Sequence, residues 1–333
     1  MQIFSFFCGP GGLDTGFHKA RAGFETAAAT DVDEEALKTF KLNHSKAQTF
    51  QADLLTAETS EIVARCLRLK SNGKPIGVIG GPPCQAFSVS NVYQREDDPR
   101  RRLPEKYAAI LKALNSEAGL SFFLFENVPG LLGHRHRARY EQFKKLFTDA
   151  GFKVWEALLD AQDYGVPQQR PRAFIIGINQ KLHPGVEWKP PRKLKKHKTV
   201  RDAIEGLPEP VPFRKGITRE DIPFHPNHWC LAPKSKKFSG KSDLTPGQAF
   251  GRSFRTLEWD EPSWTVAYGH REVHVHPNMK RRLSILEAML LQSFPKNYEL
   301  TGTLSAQIRL VSDAVPPDLA KAIAKSLARS LKL

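Results

Sequence analysis

Cysteine is scarce and dispersed: the 333-residue chain has four, Cys8, Cys66, Cys84 and Cys230. No Cys-x-x-Cys pair and no Cys/His spacing suited to zinc occurs, which argues against a disulfide framework or a structural metal and fits a reducing compartment. A free cysteine is then either a small core residue or a nucleophile. Long apolar runs are also missing. No stretch approaches the ~18 residues of a membrane-crossing helix. The apolar start, Ile3 to Phe7, has no basic segment before it and runs straight into glycines. It reads as a first strand rather than a signal peptide, and a cytoplasmic protein is expected. Internal repeats and long low-complexity tracts are absent. Acidic charge is the last deficit: 35 Asp and Glu against 50 Lys and Arg leave a formal charge of +15. That balance favours a polyanionic partner, most simply nucleic acid.

What is present is an apolar share of 40%, enough for a real core, on a length that allows one large domain and a smaller one. Strand patterns recur at Ile3 to Phe7, Glu25 to Thr30, Thr49 to Ala52, Ile76 to Ile79, Phe122 to Phe125, Phe152 to Leu159 and Ala173 to Ile178. Helical spacing lies between them. Ala36, Leu37 and Phe40 share a face, as do Ile62, Val63, Cys66 and Leu67, and Tyr107, Ile110, Leu111 and Leu114. This alternation predicts an α/β fold with a mainly parallel sheet covered on both sides.

The texture changes near residue 180. Between Lys181 and Lys241 stand fifteen Lys and Arg against six Asp and Glu, with many prolines and with Trp188, Phe213, Phe224, Trp229 and Phe238 interleaved. A separate loop-rich unit is expected there. Helical pattern returns after His276, with Leu283, Leu286, Glu287 and Leu290 on one face. After Pro316-Pro317, Leu319, Ile323, Leu327 and Leu331 step by four, an amphipathic helix expected to pack on the first domain. The expected boundaries are 1–178, 179–275 and 276–333.

The first strand runs into Cys8-Gly9-Pro10-Gly11-Gly12, where glycines allow backbone to approach a ligand and a helix N-terminus follows. Asp31 ends the second strand roughly 20 residues on, where a carboxylate suits ribose hydroxyls. Asp53 ends the third. Ligands of open α/β sheets bind at such carboxyl ends. A dinucleotide fingerprint counted from Gly9 needs glycine where Asp14 stands, so an adenosine cofactor without a pyrophosphate suits the pattern better. The fourth strand ends in Gly80-Gly81-Pro82-Pro83-Cys84-Gln85, where prolines stiffen a loop that begins with a cysteine. The fifth delivers Glu126-Asn127-Val128 after four apolar residues, a low-dielectric edge that favours a protonated carboxyl. Gln168-Gln169-Arg170-Pro171-Arg172 precedes the last strand. Two arginines at i and i+2 of an extended chain point the same way and suit a carboxylate, a base or a phosphate.

Together these segments resemble the cytosine-5 DNA methyltransferase family nearly end to end. Phe7 to Gly12 resembles its first cofactor motif, Gly81 to Ser88 its Pro-Cys loop, Glu126-Asn127-Val128 its Glu-Asn-Val motif and Gln168, Arg170 and Arg172 its Gln-x-Arg-x-Arg motif. Arg282-Leu283 through Glu287 to Gln292-Ser293-Phe294-Pro295 resembles the late helix motif. Asp313 to Pro317 resembles the last motif, with Asp313 where the family usually has Asn.

The resemblance implies a Rossmann-like, S-adenosyl-L-methionine-dependent methyltransferase fold, with a smaller irregular target-recognition domain. It implies Cys84, Glu126, Arg170 and Arg172 as catalytic residues. It sets the cofactor, and its product S-adenosyl-L-homocysteine, against Phe7, Gly9, Pro10, Gly12, Asp31, Val32, Asp53, Leu54, Pro83, Asp313 and Val315. It sets the target cytidine of double-stranded DNA against Pro82, Gln85, Ser88, Asn127, Gln168 and Thr265, the last from the Pro262 to Val266 segment. By the same resemblance Cys84 adds to C6, Glu126 bonds N3 and the exocyclic amine, Arg172 holds O2 and Arg170 supports the Cys84 loop. Because C6 is hidden in the stack, the base must leave the duplex. The basic insert is expected to neutralise phosphates, with Arg252, Arg255 and Arg271 as readers of guanine edges.

A monomer without membrane contact is expected, associated with the nucleoid through its DNA. The first motif comes almost at Met1, which suggests a compact prokaryotic modification enzyme. It would act alone or be paired, without a stable complex, with a cognate restriction endonuclease. Three rivals are a tRNA cytosine-5 methyltransferase, whose Cys-Phe-Thr motif is not found here, an inactive DNA-binding homologue, and a nicotinamide-dependent oxidoreductase.

Overall fold

The computed structural model describes residues 1–83, 98–232, 235–238, 244–249, 254–266 and 274–333. Contacts divide the chain into two compact units. The first comprises Met1–Leu159, Pro171–Arg192 and Ala320–Leu333; the second comprises Asp160–Arg170 and Lys193–Leu319.

In the first unit, a seven-stranded sheet is built from β1 (Gln2–Phe6), β2 (Glu25–Asp31), β3 (Gln48–Gln51), β4 (Ile76–Gly80), β5 (Leu120–Asn127), β6 (Phe152–Asp160) and β7 (Pro171–Asn179), in the order β3-β2-β1-β4-β5-β7-β6. Pairings among β1 to β5 are parallel, whereas β7 runs antiparallel to β5. Every residue of β1, β4 and β5 is buried. Their near-continuous apolar runs are those of strands covered on both faces. The helices are α1 (Gly12–Lys19), α2 (Glu34–Asn43), α3 (Thr59–Arg68), α4 (Leu103–Ala118) and α5 (Arg137–Asp149).

The core is aromatic around α4 and β5. The Tyr107 hydroxyl donates to the Leu124 carbonyl (2.8 Å), and the rings of Phe123 and Phe147 lie 4.7 Å apart. Strand glycines accommodate these rings. A Cβ on Gly77 would lie 2.3 Å from the Phe122 ring, and one on Gly177 would lie 2.0 Å from that of Phe123.

The second unit is loop-rich. It holds α6 (Val200–Ile204), the two-residue strands β8 (Val211–Pro212), β9 (Trp229–Cys230), β10 (Arg255–Thr256) and β11 (His274–Val275), and helices α7 (Ile285–Leu291) and α8 (Leu304–Asp313). α9 (Pro317–Leu331) closes the chain. Leu319, Ile323, Leu327 and Leu331 are buried along it as its four-residue step predicts, and the Trp188 indole donates to Ser326 Oγ (2.8 Å).

These units differ from the boundaries expected at 178 and 275. Residues 160–170 and 276–319 group with the irregular region. The reason lies in polar bonds that hydropathy does not register. The Leu286 amide donates to the Asn227 carbonyl (2.8 Å), and Arg281 pairs with Glu209 (2.7 Å).

Candidate active site

The turn after β1 passes through the left-handed region at Phe7 (φ 53°), Gly9 (φ 53°) and Gly11 (φ 88°). Phe7 pays a conformational cost there that glycine does not. The Asp31 carboxylate at the end of β2 locks this turn. It accepts the Gly9 amide (2.9 Å) and, through its other oxygen, the Asp33 amide (3.0 Å). Burial pushes the Asp31 carboxyl above its usual range, and those two N–H donors work against it. A Cβ at Gly9 would meet nothing within 4 Å, so the space over the turn is open. Next to Asp31, Val32 is 56% exposed, an apolar surface beside a half-buried acid. Pro10 and Gly12 are buried under the turn. The other acid differs: exposed Asp53 closes its own turn by accepting the Leu55 amide (2.9 Å), and the Leu54 side chain is part of the core.

β4 and β5 end side by side, and β7 begins at the same edge because it is antiparallel. Glu126 lies opposite Phe174, and Asn127 opposite Ala173. That register brings the Arg172 guanidinium to the buried Glu126 carboxylate, Nε to Oε1 at 3.1 Å. The low-dielectric edge thus carries a counter-charge as well. Gly81 faces the other oxygen, and a Cβ there would stand 2.8 Å from Glu126 Oε2. The Asn127 side-chain amide donates to the Pro82 carbonyl (3.2 Å), tying the start of the Pro-Pro-Cys loop to β5. Pro82 is buried and Pro83 exposed. Cys84, Gln85 and Ser88 lie outside the described residues. The other three cysteines are free and buried. Burial pushes the Cys8 thiol well up, that of Cys66 to about 12 and that of Cys230 to about 11. Thiols held this far from ionisation are poor nucleophiles.

In the second unit the loop before β7 meets the Pro262–Val266 segment. Gln168 bridges to Ser263, the Gln169 amide donates to the Ser263 carbonyl (2.8 Å), and Thr265 Oγ1 donates to the Gln169 carbonyl (2.7 Å). Gln168 is fully buried, and neither atom of its side-chain amide has a partner among the described residues. Arg255 lies over the Trp264 ring at 6.0 Å, while Arg252 and Arg271 fall outside the described residues.

Arg170 and Arg172 take different partners. β7 starts at Pro171, so Arg170 precedes the extended ladder. Its buried guanidinium donates to the carbonyls of Ser312 (2.8 Å) and Ala314 (2.9 Å). Its own amide donates to Asp160 (2.8 Å). Arg170 therefore clamps both neighbours of Asp313, which is itself exposed at the end of α8, while Val315 is buried. Sequence reasoning missed two positions. Gly81 was named as the first residue of the Pro-Cys loop but given no role of its own, and nothing local in the sequence marked Asp160.

The sequence profile described as C-5 cytosine-specific DNA methylase matches residues 1–329. The chain is 32% identical to the type II methyltransferase M.MthTI of Methanothermobacter thermautotrophicus, over 100% of this chain and 98% of that one. It is 33% identical to M.FnuDI of Fusobacterium nucleatum, over 99% and 95%. Among solved structures it is similar to a prophage-encoded E. coli chain described as a DNA modification methyltransferase (TM-score 0.79, 25% identity, all of both chains). The fold alone is shared with the Dnmt2 methyltransferase of S. pombe (TM-score 0.69, 16% identity, 100% and 99% covered).

Proposed function

Because the chain belongs to the C-5 cytosine-specific DNA methylase family and is a DNA cytosine-5 methyltransferase, we propose that Cys84 and Glu126 work on opposite edges of one cytosine extruded from duplex DNA. The supporting observation is the convergence at one sheet edge. Gly81, Glu126, Asn127 and Arg172 meet where the loop to Cys84 departs. Cytosine C5 is a weak nucleophile. Adding the Cys84 thiolate at C6 makes C5 enamine-like. Glu126 bonds N3 and the exocyclic amine, where charge develops, and Arg172 both orients Glu126 and holds O2. Once C5 carries the methyl group, its proton leaves to water, the C5–C6 double bond re-forms and the Cys84 sulfur departs as thiolate. Arg170 acts as a positioning residue through Ser312 and Ala314.

The family uses S-adenosyl-L-methionine, and the residues present fit it. The open left-handed turn at Gly9, the locked Asp31 carboxylate and the exposed Val32 suit a glycine-side approach, a ribose and an adenine face. When bound, it supplies an electrophilic methyl group. Gln168 and Thr265 lie on one loop pair suited to the target nucleotide, and the relatives' type II designation supports a modification role beside a cognate endonuclease.

Cys84→Ser should abolish methylation of duplex DNA while the thermal shift with S-adenosyl-L-homocysteine stays near that of the wild type. Wild-type turnover in that variant would end the proposal. Bisulfite sequencing of DNA from an expressing host then identifies the modified site.

A further inference from the structure

We infer that Arg101, Arg102, Arg135 and Arg139 form a phosphate-binding patch on the first unit that grips the backbone of the duplex being methylated. The inference rests on the DNA-methylating reading above and adds a contact outside the basic second unit.

Two segments distant in sequence build the patch. One is the single 3-10 turn Pro99–Arg102 before α4; the other is His134–His136 with the start of α5. Arg139 ties them together by donating to the Arg101 carbonyl (3.0 Å). His136 is buried between them. Burial first, then the charges of Arg135, Arg101 and Arg139, hold its imidazole below the usual range, so it adds no positive charge at neutral pH.

Among the described residues, the local acids are already engaged. Asp98 pairs with Arg100 (2.7 Å), Glu141 and Glu156 pair with Arg137 (2.6 and 3.1 Å), and Glu105 stands 3.7 Å from Arg139. No described carboxylate pairs with Arg101, Arg102 or Arg135. Arg101 Nε is moreover buried without a partner, whereas Arg102 and Arg135 are exposed.

The guanidiniums around His136, with Glu105 beside Arg139 as the one described carboxylate in reach, repel one another, and an anion relieves that repulsion. Their planar forks suit phosphate oxygens. Position selects the source of phosphate. The first segment continues the chain that carries Cys84, and the second follows β5 with Glu126 and Asn127. A strand presenting its base to those residues brings its flanking phosphates to these arginines.

The test uses the full-length protein with both exposed arginines replaced, Arg102→Ala with Arg135→Ala, and fluorescence-anisotropy binding to a duplex substrate over a range of salt. Losing two contacts should make the log–log salt slope shallower by about 2, at roughly 0.9 per phosphate. The KM for DNA should rise about tenfold, with the loss falling on KM more than on kcat, and S-adenosyl-L-homocysteine should protect against heat as before. Lysine at both positions should restore the slope. A slope and KM equal to wild type would overturn the patch while leaving the proposed function intact. So would inorganic phosphate competing equally well with wild type and double variant. A wild-type enzyme that methylates no duplex DNA would instead overturn the functional reading, and this inference with it.

Discussion

The two units hold their important side chains by different means. In the sheet unit Asp31, Gly81, Glu126 and Arg172 stand at strand ends, and the ladder sets their positions. In the irregular unit short strands set almost nothing, and buried polar groups bind loop to loop. Asn227, fully buried, donates to the Leu300 carbonyl and to Gln307 (both 2.9 Å) and accepts the Leu300 amide (2.9 Å). Glu287, fully buried, takes a two-pronged bond from Arg281 (2.9 and 2.9 Å) and caps its own helix through the Ser284 amide (2.7 Å). Burial alone would raise the Glu287 carboxyl. The bonds and charge of Arg281, with His276 and the Ser284 amide, hold it below its usual value instead. A ladder spreads its free energy over many bonds, whereas a buried ion pair concentrates it in two residues.

That contrast predicts unequal fragility. Glu287→Ala takes the two-pronged partner from the buried Arg281 guanidinium, leaving it Glu209, and removes the cap on α7; it should destabilise the protein by about 3 kcal/mol in urea unfolding. Glu61→Ala removes an exposed helix pair with Arg65 in the sheet unit and should cost under about 1 kcal/mol. Equal losses from the two would erase the distinction.

Acid should find the same unit first. His274 on β11 is buried, and the Thr265 backbone is the neighbour that favours its protonated form. Burial, reinforced by Arg255, pushes its imidazole down to about 3 from an ordinary 6.5. The native state keeps it neutral while the unfolded chain binds a proton below 6.5. Its contribution is therefore full above 6.5 and declines as pH falls toward 3, by about 1.4 kcal/mol per pH unit. His274→Phe should flatten unfolding midpoints between pH 7 and pH 5. A wild-type midpoint that does not move over that window would remove His274 as the cause.

How legible each unit was follows from the same physics. Apolar runs marked β1, β4, β5 and β7 because burial on both faces writes itself into consecutive residues, whereas β2, β3 and β6, part-exposed along their length, were marked by weaker patterns. The strand-end positions of Asp31 and Glu126 came with them. The reversal of β7 did not, since hydropathy carries no direction, and it is this reversal that brings Arg172 to Glu126. The partners of Arg170, the carbonyls of Ser312 and Ala314, were invisible because they lie more than a hundred residues away. Asn227, Arg281 and Glu209 were invisible because their partners are far away in sequence, and no local period points at them.

The finest discrimination lies at Gly81. A methyl group there would stand 2.8 Å from Glu126 Oε2, a carboxylate at the end of a flexible side chain rather than backbone. The fold can accept Gly81→Ala by moving that carboxylate a few tenths of an ångström, so stability should change little. Catalysis cannot accept it as easily, because a carboxylate that bonds a developing charge works only within a narrow range of positions. We expect kcat to fall about tenfold, equivalent to about 1.4 kcal/mol, with unfolding midpoint and S-adenosyl-L-homocysteine binding near wild type. Loss of stability matching the loss of rate would mean that Gly81 serves packing alone. Loss of rate without loss of stability would separate a strand end that carries function from one that only carries the sheet.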